Sequence, residues 1–123
     1  MKGIRKIWGA LAVALMAAGA AQAGQCGYEY CWGAVGTSAN GHWGWATGQW
    51  SEQDAVNRVQ AECGGNCDAI RTFYNTCGAM ARASNGGWGF GWAPTRGQAE
   101  TLSLQYCRNE GPNCRVLVWA CSY

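Results

Sequence analysis

The feature that most constrains this chain is a duplication. Ser38-Ala39-Asn40-Gly41-His42-Trp43-Gly44-Trp45 returns as Ala83-Ser84-Asn85-Gly86-Gly87-Trp88-Gly89-Phe90. At that offset Gly33, Ala34, Asn40, Gly41, Trp43 and Gly44 have identical counterparts in Gly78, Ala79, Asn85, Gly86, Trp88 and Gly89. A one-residue gap then aligns Ala55 with Ala99 and Cys63 with Cys107, and loops of different length set Cys67 against Cys114 and Cys77 against Cys121. A repeat of this kind sets the architecture ahead of any other signal. Asn-Gly between extended flanks predicts a hairpin with a type I′ turn, whose two turn residues both take φ > 0.

Each copy carries the same order of elements. A short strand (about 33–38, then 78–83) leads into the turn, and a return strand follows at about 42–48 and 87–93. Ser51 and Thr95 then supply N-caps; Thr95 with Gln98 fits the capping box and Ser51 with Asp54 is a looser version. The helices run to Cys63 and Cys107. Ala55, Val56, Val59 and Cys63 share one face, as do Ala99, Leu102 and Tyr106. Final strands fall at about 69–75 and 115–120. The fold class is α+β: two β-β-α-β repeats with pseudo-two-fold symmetry, sharing one core because neither unit alone buries its sheet and helix.

Residues 1–23 read as an address. Lys2, Arg5 and Lys6 precede an apolar run from Ile7 to Ala21, and Ala21-Gln22-Ala23 is a small-x-small cleavage pattern. The run is shorter than the roughly 20 apolar residues of a spanning helix. The expected product is a secreted or periplasmic bacterial protein with no membrane association after cleavage. All lysines lie in that leader, which leaves six arginines against seven acids, a net charge of −1. Such a chain has no electrostatic footprint for nucleic acid or anionic lipid. Eight cysteines in an exported chain read as a disulfide framework. A metal site is disfavoured, since there is no C-x-x-C pair and His42 is the only histidine.

Trp32-Gly33-Ala34, Asn40 to Gly44, Cys63 with Cys67, Cys77-Gly78-Ala79, Asn85 to Gly89, and Cys107, Cys114 and Cys121 together resemble the bacterial domain of unknown function 4189 family. The resemblance covers about residues 32–121, with units of about 32–77 and 77–121. It leaves 24–31, with Cys26 and Cys31, as an N-terminal extension. It implies a small exported domain and offers no catalytic residues to carry over. Topology favours bridges Cys63–Cys67 and Cys107–Cys114 from helix end to next strand. It also favours Cys77–Cys121 between equivalent strand ends across the pseudo-dyad, with Cys26–Cys31 left over. Cross-unit alternatives such as Cys31–Cys77 remain open among 105 pairings.

The residues kept in both copies are Gly, Ala, Asn, Trp and Cys, so the duplicated part is scaffold and a specific function belongs where the copies differ. His42 sits beside a turn, opposite Gly87, and reads as a solvated turn residue rather than a base. A small hydrolase would need it within reach of a serine or a carboxylate. No phosphate-binding glycine loop is present. Seven tryptophans remain after the leader. Trp88, Phe90 and Trp92 share one strand face, opposite Gly87, Gly89 and Gly91. Burial tendencies place the rings in the core and the glycine face against a helix or the other repeat. Tyr28, Tyr30, Trp32 and Trp50 have no aromatic counterpart, and with His42 they form the candidate binding surface. The expectation is a monomeric, cofactor-free binding protein of effector or inhibitor type that recognises another protein. A module that binds cell-wall glycan through exposed tryptophans is the alternative.

Overall fold

The computed structural model describes residues 24–123; the leader assigned to residues 1–23 lies outside them. Strands β1 (Trp32–Thr37), β2 (Trp43–Gln49) and β3 (Ala69–Tyr74) flank helix α1 (Glu52–Glu62) in the first unit. Strands β4 (Thr76–Arg82), β5 (Trp88–Ala93) and β6 (Arg115–Ser122) flank α2 (Arg96–Arg108) in the second. Each unit forms its own antiparallel sheet, β2-β1-β3 and β5-β4-β6, with the opening strand in the middle. The architecture is the α+β pair of β-β-α-β units.

Alternation along the central strands sorts side chains into layers. Ala34 packs with Ala55, Val59 and Cys63 of α1, whereas Val35 packs with Met80, Phe73, Val118 and Ala120 in a core common to both sheets. The order of layers is therefore helix, sheet, sheet, helix. Ser51 Oγ accepts from Asp54 N–H and Thr95 Oγ1 from Gln98 N–H, so both predicted caps form. In β5, a Cβ at Gly89 would lie 2.2 Å from Cys107 N and one at Gly91 would lie 2.4 Å from Ala99 O. The glycine face thus meets α2, backbone against backbone.

Three expectations need correction. The hairpin loops are not type I′ turns, because Gly41 and Gly86 have positive φ (90° and 92°) while Asn40 and Asn85 do not. Ser38 and Ala83 carbonyls accept from Gly41 and Gly86 N–H at 3.0 Å, closing three-residue loops with glycine in the left-handed position. The buried stripe of α2 is Ala99, Ser103 and Cys107, with Tyr106 turned out at 55% exposure. Close approach to the glycine face admits only small side chains there. Finally, Cys77 and Cys121 are direct partners in the β4–β6 register, so their bridge lies within the second sheet and not across the pseudo-dyad. The other bridges are Cys26–Cys31, Cys63–Cys67 and Cys107–Cys114.

One ion pair ties the units together. Arg82 of β4, 8% exposed, donates to both carboxylate oxygens of Asp68 at 2.9 and 3.1 Å and to Thr37 Oγ1 at 3.1 Å. The hydrogen bonds from that guanidinium, and then its charge, hold the Asp68 carboxyl below its ordinary value against the opposing effect of burial.

Candidate functional site

The pseudo-symmetry places two equivalent seams between the sheets, β2 beside β6 and β5 beside β3. Strand registers fix the correspondence. Gly33 pairs with Phe73 and Gly78 with Ala120; Val35 pairs with Arg71 and Met80 with Val118. Phe73 and Arg71 in one seam are therefore replaced by Ala120 and Val118 in the other.

That exchange decides what the indoles face. In the β3–β5 seam, Phe73 stacks on Phe90 with ring centroids 6.4 Å apart, and the Arg71 guanidinium lies 4.7 Å from the Trp88 centroid. The recess of about 600 Å³ that remains beside Trp88 is walled by polar Arg71, Asn109 and Glu110. In the β2–β6 seam, Trp43 and Trp45 share a recess with the smaller Val118 and Ala120. It has a volume of about 420 Å³ and is lined also by Leu117 and Trp119. Trp43, Trp45 and Trp119 stay 50%, 44% and 40% exposed. β6 lies near β2, with Ser122 Oγ accepting from Gly48 N–H at 3.0 Å, yet the indoles are not covered. The expectation that rings fill the core thus holds for Trp88 and Phe90 and fails for Trp92; Trp43 and Trp45, on the equivalent strand, are exposed as well. Alternation assigns a face, but on edge strands only part of that face is covered.

A family model described as a domain of unknown function, DUF4189, matches residues 32–121. The chain belongs to the DUF4189 family. This DUF4189 protein is also similar to Rv1813c from Mycobacterium tuberculosis, whose structure was solved by NMR. The two are 29% identical, with 74% of each chain covered and a TM-score of 0.57. Among curated proteins none matches.

The residues singled out from the DUF4189 sequence fall in two places. Tyr28 meets Trp50 edge-on at 4.3 Å, and Trp50 Nε1 donates to Cys26 O at 2.9 Å. Tyr30 and Trp32 both meet Tyr74, at 4.8 and 5.0 Å. Four of the five thus gather where the extension is fastened by Asn75, which accepts from Cys31 N–H and donates to Glu29 O. His42 stands apart, exposed at the opposite end of the β1–β2 hairpin, where the backbone holds it: His42 N–H donates to Ser38 Oγ at 3.0 Å. Sequence reasoning missed the seam residues Trp119, Leu117, Trp43 and Trp45, and also Tyr74. The available signal was Phe73 against Ala120, which appears only when the third strands are aligned by register. Among the described residues no group of His, Cys, Asp and Glu is arranged to hold a metal.

Proposed function

We propose that the protein is an exported binding protein of effector or inhibitor type that takes an apolar segment of a partner protein into the β2–β6 seam. The observation that carries this reading is the contrast between the seams: one sets the chain's own Phe73 and Arg71 against its rings and keeps a polar-walled recess, and its equivalent keeps an apolar recess beside half-exposed Trp43 and Trp45. An aromatic or aliphatic side chain entering there desolvates apolar surface on both sides. Leu117, Val118 and Ala120 offer a sugar few hydrogen-bonding groups, which favours a protein ligand over a glycan. Export is supported by the leader pattern and the four disulfides. Among the described residues no helix is long and apolar enough to cross a membrane.

Panning a displayed library of random linear peptides on the oxidised protein, with Trp45→Ala as the counter-surface, tests this. Enriched peptides should carry Phe, Trp, Tyr or Leu and should lose binding to the variant. Peptides that bind both surfaces equally would overturn the reading. Selective shifts of the Trp43, Trp45 and Trp119 indole signals by soluble peptidoglycan fragments would replace it with a glycan-binding one.

A further inference from the structure

We propose that the corner where β1, β3 and the start of α1 meet is a binding site for an organic cation. The ligand class is a guanidinium or alkylammonium group, of the kind carried by an arginine or lysine side chain. The corner is a recess of about 620 Å³ whose walls include Trp32, Tyr74, Trp92, Thr72 and Glu52. Trp32 and Tyr74 stand at 61° with centroids 5.0 Å apart, and Tyr74 and Trp92 are 47% and 63% exposed. Glu52 is fixed on the wall by accepting the Thr72 hydroxyl. Among the described residues no cation pairs with it.

The second unit shows what this corner lacks. Glu52 and Arg96 are each the first residue of their helix, directly after the N-caps Ser51 and Thr95. The registers make Thr72 equivalent to Trp119, and Trp32 and Tyr74 equivalent to Cys77 and Cys121. In the second unit the Arg96 guanidinium lies 3.9 Å from the Trp119 centroid, so that corner carries its own cation on its own indole, beside a disulfide. In the first unit the cation is replaced by a carboxylate and the disulfide by a pair of rings. Ring faces attract a cation, and a carboxylate adds charge-assisted hydrogen bonds to it. The two first-turn acids, Glu52 and Asp54, outweigh the roughly half-unit positive charge of the helix end. None of Trp43, Trp45 or Trp119 takes part, so this site stands or falls independently of the seam.

The test is an NMR titration of the oxidised protein, following the indole N–H signals of Trp32 and Trp92. The probes are N-acetyl-arginine methylamide and its uncharged counterpart N-acetyl-citrulline methylamide. The arginine probe should shift both signals saturably, and the citrulline probe should bind about tenfold more weakly. Glu52→Gln should weaken the arginine probe about tenfold with the rest of the spectrum unchanged. Trp92→Ala, at a well-exposed side chain, should weaken it without disturbing the fold. Equal binding of the two probes, no effect of Glu52→Gln, or no saturable shift with either probe would overturn the proposal. Shifts with soluble chitooligosaccharide but not with arginine would also overturn it, and would identify a glycan site instead.

Discussion

The two seams between the sheets share a fold and differ in what the third strand offers the rings, Phe73 and Arg71 in one and Ala120 and Val118 in the other. Phe73 lies against both Gly33 and Gly78, where a Cβ would come within 2.6 and 2.4 Å of the ring. Those glycines are themselves equivalent, so the ring occupies space close to the pseudo-dyad, which its own counterpart would also need. Only one unit can hold a phenylalanine there, and the other must place Ala120. The duplicated chain is thereby asymmetric: one seam packs Phe73 and Arg71 against its rings and the other leaves Trp43 and Trp45 short of cover. A difference between repeats here follows from packing and at the same time creates the candidate binding surface.

The strongest way to break this comparison is to remove the ring. Phe73→Ala should cost about 3–5 kcal/mol in urea unfolding. Ala120→Phe alone should destabilise by about 1–3 kcal/mol through overpacking. The double variant Phe73→Ala with Ala120→Phe should be more stable than the sum of the two losses, because the ring is returned to the shared space from the other unit. Strict additivity would show that the two positions do not compete.

Replacing Cys77 and Cys121 together by serine should cost about 2–4 kcal/mol, since this bridge closes the longest loop, with a sequence separation of 44. Each of the other three bridges spans at most 7 residues, and removing one should cost less.

Asp68→Asn should lose about 1 kcal/mol, a modest value because the carboxylate is half-exposed. Its pKa is lower in the folded chain than in the unfolded chain. The contribution is therefore complete above the ordinary carboxylate value and is lost as pH falls through the depressed one. Unfolding midpoints measured down an acid series should fall less steeply in the variant. The smallest effect is that of Trp45→Ala, which should change stability by less than about 1 kcal/mol, whereas Trp88→Ala should cost more, since Trp88 packs on the shared core.

The duplication made the element order, both N-caps and the common core legible, because each is written locally and written twice. Turn type was not legible. Asn40-Gly41 carries the residues of a two-residue turn, but Ser38 and His42 pair one step further out and leave a three-residue loop. Helical spacing placed Tyr106 on the buried face, whereas the approach of α2 to Gly89 and Gly91 selected Ser103. Aligning Cys77 with Cys121 matched cysteine to cysteine, yet by register Cys77 stands where Trp32 does and Cys121 where Tyr74 does. The same register was needed to set Phe73 against Ala120. Tyr28, Tyr30, Trp32 and Trp50 were legible because they have no aromatic counterpart in the other copy, while the β2–β6 seam is a property of two strands from different units and has no local signature.

The most direct measurement of the central claim is an indole N–H titration of the oxidised protein with N-acetyl-phenylalaninamide, a minimal aromatic side-chain probe. The account expects the signals of Trp43 and Trp45 to move together and saturate while Trp88, covered by Arg71, stays still. Equal movement of Trp88, or no saturable movement of Trp43 and Trp45, would contradict it.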